Sequence, residues 1–337
     1  MQIQRTQRCD AKGQFVRRWM TLVVISGLLA AVLVVSLIWG SVTIPWQTIV
    51  NALWNDHNGA QEMIVWNIRF PRNLIGALVG ANLAVAGTIL QAVMKNPLAD
   101  PGIIGVSSGA GLAGVVMLIL YPSHEYWVTP VAFIGAMGAA LFVYALAWKN
   151  GIRPTRIILA GVAVSAFLGS GISALLVFYG DRVQGALLWM VGGLSARSWP
   201  QLMTLYPYTG LGILLALFGA KQLNILALGD ETARSLGMPV ERVRFGMMAV
   251  ASLMAAAAVS IAGLIGFVGL VVPHMVRLLI GSDYRFLLPA SALGGALIMV
   301  VSDTFGRVAF SPIEIPVGII MAFFGAPFFL YLLRRKE

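Results

Sequence analysis

Ten apolar runs, most of them close to the length that crosses a lipid hydrocarbon core, follow one another along this chain: residues 20–40, 74–94, 103–120, 127–148, 157–179, 201–220, 245–264, 266–280, 286–303 and 316–333. A helix spanning a bilayer needs about 20 such residues. No water reaches the hydrocarbon to satisfy backbone N–H and C=O groups, so such runs must be helices that bond their own backbone. The expected fold class is an all-α polytopic membrane protein with about ten transmembrane helices. A soluble core fails on composition. Only 11% of the 337 residues are charged and 59% are hydrophobic, whereas a soluble domain carries about 25% charged residues. An ordinary soluble enzyme, a disordered chain and a coiled coil are excluded.

The run that decides the count is 245–281, whose 37 residues hold Arg277 as their only charge. As one helix it would reach roughly 55 Å, far beyond a core of about 30 Å. Gly263, Gly266 and Gly269 cluster near its middle and Pro273 follows, so the reading is two short helices joined by a tight turn. With ten spans, the basic end Arg334-Arg335-Lys336 shares a side with the basic N-terminus. The first run exceeds the roughly 7–15-residue apolar core of a signal peptide, so a retained helix is expected. The chain then reads as a tail, residues 1–18, and one transmembrane domain, residues 19–337, with a polar segment at 221–244.

The net charge of +10 would suggest nucleic-acid binding in a soluble protein. Sorting the charges by side removes that need. Arg69, Arg72, Arg182, Arg197 and Arg307 fall opposite the N-terminus, and the other 18 of the 23 Lys+Arg fall on its side. This is the positive-inside pattern, which places both termini in the cytoplasm. No nucleic-acid partner is expected; the partner implied is the lipid bilayer.

The spans lack the groups that ion-driven transport uses. Asp303 sits at the outer end of its run, Arg277 can snorkel to the inner interface, and His274 is the other titratable residue within a run. Intramembrane carboxylate relays are characteristic of proton- and ion-driven transporters, and none is visible. No Gly-Lys pair exists for a phosphate-binding loop, so any energy source lies in another subunit. Cys9 is the single cysteine, so neither an intrachain disulfide nor a cysteine zinc cluster can form. No metal ligands and no cofactor held by this chain are expected. Gly105-Val106-Ser107-Ser108-Gly109 matches a hydrolase nucleophile elbow. The elbow needs a strand-to-helix turn with a histidine and an acid in reach, whereas this segment opens a membrane helix and His57 and His124 lie in outer loops. Small residues packing helices together are the better account. An intramembrane hydrolase using Ser107 or Ser108 is the alternative of another class.

Four segments go beyond composition. They are Arg69-Phe70-Pro71-Arg72 through Asn96-Pro97-Leu98-Ala99-Asp100-Pro101-Gly102-Ile103-Ile104-Gly105; Leu226 to Gly237; Gly266 to His274 with Arg277; and Glu314-Ile315-Pro316-Val317-Gly318 through Gly325-Ala326-Pro327-Phe328-Phe329. Together they resemble the FecCD-type permease subunits of ABC importers for iron–siderophores, haem and cobalamin. The resemblance runs from about Trp39 to the C-terminus. It implies ten helices, with helices two to five and seven to ten as inverted repeats. It also implies a second permease subunit, homo- or heteromeric, two ATP-binding subunits that hold ATP and Mg, and an extracytoplasmic substrate-binding protein. The chain itself would be a transporter subunit of the bacterial plasma membrane and no enzyme. Its cargo would be a ferric siderophore, with haem or cobalamin as the alternative.

By the same resemblance Leu228, Gly229, Asp230, Glu231, Ala233, Arg234, Leu236 and Gly237 form the element that couples to the ATPase. On the residues alone this is a polar linker in which Asp230 is expected as a helix N-cap, Gly237 as a C-terminal glycine and Pro239 as the start of a second short helix. Arg69, Arg72 and Arg307 would dock glutamates of the binding protein, a task that suits a planar guanidinium; on the residues alone they anchor equally well to lipid headgroups. Asn96, Leu98 and Thr155 would narrow the cytoplasmic mouth, although Asn96-Pro97-Leu98 also reads as a simple proline turn. Gln184, Trp189 and Met190 would border the outer cavity, and packing is an equal account of the last two.

Overall fold

The computed structural model describes residues 2–40, 42–54, 59–149 and 154–335; His57 and Lys336 lie outside them. Among the described residues ten helices are apolar, seven of them long enough to cross a membrane. Seven are long: α1 (Gln2–Ile38), α4 (Phe70–Val93), α6 (Val128–Ala147), α7 (Pro154–Phe178), α9 (Trp199–Phe218), α12 (Val240–Ala262) and α14 (Tyr284–Val308). Three are shorter: α5 (Val106–Leu120), α13 (Val268–Ile280) and α15 (Val317–Arg335). The remaining helices lie between them: α2 (Trp46–Trp54), α3 (Ala60–Ile64), α8 (Val183–Val191), α10 (Ala220–Ala227) and α11 (Asp230–Ser235). The α-helical, ten-span fold class is as expected. Helix α1 starts at Gln2, so residues 2–18 are helical and run on into the first span.

The core is built around α4. It is buried along almost its whole length, and α12 is mostly buried from Met247 onward. Helix α4 packs on α14, α12, α13 and α9. Glycines let it approach its neighbours. A Cβ on Gly80 would collide with the carbonyl of Gly295 on α14, and one on Gly87 with the carbonyl of Gly269 on α13. Where lipid is as apolar as the side chains, such backbone proximity is what supplies packing energy. Polar ties accompany it: Asn82 of α4 donates to the Thr209 hydroxyl of α9 at 2.8 Å.

The inverted repeat is visible in which helices touch. Exchanging α4, α5, α6 and α7 for α12, α13, α14 and α15 maps the pair α4–α14 onto α12–α6. It also maps α5–α6 onto α13–α14, α5–α7 onto α13–α15, and α4–α13 onto α12–α5; all eight pairs are packed together. Each repeat has a long buried helix, a break and a short helix. The first break ends at Gly105 (φ +81°), and the second carries Gly263 (φ +75°) and Phe267 (φ +67°). A bulky side chain rarely adopts the left-handed region, so Phe267 is held there by its surroundings, which include Gly325 of α15 against its ring. The break at 263–267 is the one the apolar length of 245–281 demands.

The polar segment 221–244 differs in detail from expectation. Gly229 (φ +115°) is the N-cap of α11, and Asp230 is the first helical residue with no capping bond of its own. Gly237 (φ +77°) does close α11, donating to the Arg234 carbonyl while Met238 donates to that of Ala233. Pro239 precedes no short helix; it is the N-cap of the long span α12. Substituting Gly80 by leucine forces α4 and α14 apart. Overpacking of a tight core costs about 1–3 kcal/mol or more, so the variant should show a clearly lowered unfolding midpoint in detergent. The same change at Gly169, which faces open space, should leave the midpoint near that of the unaltered protein.

Candidate functional site

Two charged clusters sit at opposite ends of α4. At the face away from the termini, a π-helical turn (Val65–Arg69) leads α3 into α4. The three arginines singled out from sequence come together there, lining one cavity of about 280 Å³ with Glu314. They are not exposed, however. Arg69, Arg72 and Arg307 retain 5%, 6% and 3% of their accessible surface. Arg72 binds Asp303 at 2.9 Å and Glu314 at 2.8 Å, and Arg307 binds Asp303 at 3.2 Å. Arg307 also donates to the Asn73 amide oxygen. Arg69 donates to the carbonyls of Leu37, Ile38 and Val42, closing the α1–α2 connection over the cluster. Among the described residues no carboxylate lies within ion-pair distance of Arg69. Three arginines against two acids leave the cavity one positive charge in excess. Half-burial would raise the Glu314 carboxyl, but the Arg72 hydrogen bond and charge override it and hold it below the usual carboxylate range.

At the other end of α4, Lys95 follows the last turn with φ +49°. Its Nζ meets the Asp230 carboxylate at 2.6 Å, joining the α4–α5 turn to α11. Asp230 in turn binds Arg244 at 3.0 Å, and Arg244, wholly buried on α12, binds Glu241 at 3.3 Å. Burial opposes ionisation of Asp230, yet the hydrogen bonds from Lys95 and Arg244 keep its pKa below the ordinary value. The neighbouring α4–α13 contact is polar as well: the Gln91 amide donates to the Gly269 carbonyl and accepts from Arg277 at 3.0 Å. Arg277 is thus engaged by α4 rather than snorkelling freely. Asn96 forms the expected turn, its Oδ1 accepting from the Leu98 N–H at 2.9 Å. Thr155 is exposed at the start of α7.

Within the polar segment, Ala233 is buried while Leu228 and Leu236 are 63% and 62% exposed. Glu231 is exposed, and Arg234 makes only a loose pair with Glu241 at 3.7 Å. Two exposed leucines flanking α11 form an apolar tip at the terminus-side face. On α8, Gln184 is exposed, Met190 is partly buried, and Trp189 is buried with its ring against Gly114. Ser108, in the first turn of α5 just after a 3-10 turn, donates to the Gly105 carbonyl and to Ser165; that is not the strand-to-helix setting of a nucleophile elbow. Among the described residues no cluster of three metal-ligating side chains is found.

Lys95, Asp303 and Arg244 are the functional candidates that reading the sequence did not assign. The signal for Lys95 and Arg244 is faint: each is a single basic residue beside a span, and only their shared contact with Asp230 distinguishes them.

The model of the FecCD transport family matches residues 28–335. The cobalamin import system permease protein BtuC of Halobacterium salinarum is 47% identical over 277 residues, covering 82% of this chain and 74% of that protein. The Fe(3+)-citrate import system permease protein YfmD of Bacillus subtilis is 42% identical over 275 residues, covering 82% of each. A solved structure described as an inward-facing metal-chelate type ABC transporter has a TM-score of 0.84 at 28% identity, covering 93% of this chain and 98% of that one.

Removing one member of a buried ion pair costs about 3–5 kcal/mol, because the other charge is left without a counterion. Asp303→Asn should therefore lower the unfolding midpoint sharply, and Glu314→Gln, whose carboxylate is 32% exposed, much less. The Glu314 contribution has a defined pH window. A carboxyl with a lowered folded pKa stabilises above its unfolded value of about 4.3 and loses that effect as pH falls through the folded value. The midpoint difference between the parent and Glu314→Gln should be constant from pH 8 to 6 and shrink below about pH 4.

Proposed function

The chain belongs to the FecCD transport family, and we propose that it is the membrane-spanning permease subunit of an importer driven by ATP-binding partner subunits and loaded by an extracytoplasmic binding protein. Both termini lie in the cytoplasm in this reading, on the strength of the basic-residue asymmetry. The observation that carries it is the placement of α4. One buried, glycine-packed helix ends at one face in a cation-rich cavity and at the other in an ion pair with α11.

In this reading the cavity receives a carboxylate of the binding protein. Arg69 offers the positive charge that the internal acids leave over. Asp303 holds Arg72 and Arg307 in place, and Glu314 at the rim competes with the incoming group. At the cytoplasmic face the leucine-flanked α11, with Gly229 and Gly237 setting its ends, fits into the ATPase. Motion there passes through Asp230 and Lys95 to the turn that holds Asn96 and Leu98, which with Thr155 forms the gate. Gln184 is the α8 side chain available to a passing solute, and Trp189 and Met190 hold α8 in place. ATP and Mg bind the partner ATPase.

The cargo best supported is a metal chelate, with a ferric siderophore as first choice; its chelator already fills the metal's coordination shell. The cobalamin permease at 47% identity is the specific reason to keep cobalamin as the second reading. Cells lacking their own ferric-siderophore and cobalamin permeases, supplied with this chain and its partner subunits, should regain uptake of a radiolabelled ferric siderophore. Uptake of cobalamin alone would select the second reading, and uptake of neither chelate would overturn the proposal.

Coupling free energies between sites are typically 1–3 kcal/mol, about 5–150-fold. Lys95→Met should therefore reduce cargo moved per ATP hydrolysed about fivefold or more while the ATPase still associates, and Lys95→Arg should retain most of it. Arg69→Gln should weaken binding-protein docking in detergent, and Glu314→Gln should strengthen it.

A further inference from the structure

A second cavity lies away from both charged clusters. At the face opposite the termini, the N-terminal turns of α6 and α9 stand apart, with Ser260 and Ile261 of α12 forming the floor between them. The cleft holds about 740 Å³. Toward the membrane interior it is closed by Phe133 of α6 and Tyr208 of α9, whose rings lie 5.3 Å apart. Its flanks continue into exposed apolar surface at Ile134 and Met203. The mouth lies at the level of Tyr126 and Trp127, both exposed, where an aromatic belt marks the headgroup region.

Two opposite charges border that mouth, Arg197 and Glu125. Glu125 is near enough to act on Arg197 electrostatically, but the two form no ion pair. Arg197 is partly buried, and its Nε–H has no acceptor. The indole N–H of Trp189, a side chain 8% exposed that also lines the cleft, has none either. Burial lowers the Arg197 pKa, with Glu125 opposing the effect. Buried donors without acceptors are costly, and a separated cation and anion at one rim match a ligand carrying both charges. The slot below is apolar, walled by Phe133 and Leu205 among others.

We propose that this cleft is a binding site for a zwitterionic aminophospholipid. Its phosphate lies on Arg197, its ammonium on Glu125 and one acyl chain between α6 and α9. A single anionic headgroup fits less well, because Glu125 would face it unpaired. The lipid would wedge the outer ends of α6 and α9 at a fixed spacing, against α12 and next to Trp189 at the end of α8.

The test uses the full chain, delipidated in detergent, with native mass spectrometry and thermal unfolding as readouts. The probes are dioleoyl-phosphatidylethanolamine, dioleoyl-phosphatidylglycerol and soluble phosphoethanolamine. The phosphatidylethanolamine complex should be retained preferentially and raise the unfolding midpoint. Arg197→Gln and Glu125→Gln should each weaken it at least fivefold, whereas phosphatidylglycerol should respond to Arg197→Gln alone. Equal retention of both lipids, with no effect of Glu125→Gln, would overturn the proposal. Binding of soluble phosphoethanolamine as tight as that of the lipid would overturn it too, by assigning a free-anion site. If Arg197→Gln does not fold, Glu125→Gln and the three-probe comparison on the parent protein decide by the same criteria.

Discussion

The close approach of α4 to α14 and α13 is the contact on which the rest of the structure depends. In hydrocarbon there is no solvent-exclusion gain in bringing two apolar helices together, so association must come from backbone proximity, dispersion and polar ties. Gly80 facing Gly295 and Gly87 facing Gly269 supply that proximity. Because α4 is enclosed by its neighbours rather than by lipid, its ends can carry charges that a lipid-facing helix could not. Arg72 is buried at one end with Asp303 and Glu314, and Lys95 at the other reaches Asp230.

The same packing explains why the helix breaks fall where they do. The two repeats cross in opposite directions, and each places a short helix after its long buried one. The turns at Gly105 and at Gly263–Phe267 bring loops against neighbouring helices; a Cβ on Gly161 of α7 would strike the Ile103 carbonyl, and one on Gly263 the Trp189 carbonyl. Such contacts leave the short helices α5 and α13 mechanically tied to α7 and α8.

Much of the candidate site could be read along the chain, and part of it could not. Arg69, Arg72 and Arg307 are legible as cations beside spans, and the structure brings them to one cavity. Their burial was not legible. The distance between Arg72 and Asp303 along the chain is 231 residues, and nothing local to either announces the pair. Asp230 read as a helix cap because an acid after a glycine usually is one; its carboxylate instead turns to Lys95 and Arg244, which are stronger partners than a backbone N–H.

Sequence by itself determined the number of spans, the division of 245–281 into two helices and the uneven distribution of basic residues. These follow from length and hydropathy, which are properties of short stretches of chain and need no knowledge of neighbours. Tertiary structure decided which polar groups are paired, which are left with open valence and where space remains between helices. Those outcomes depend on the packing of helices far apart in sequence. Arg197 and Arg307, both arginines beside a span, differ for that reason alone: Arg307 is held by Asp303 and Asn73, whereas Arg197 lines a cleft beside Glu125 with no ion pair.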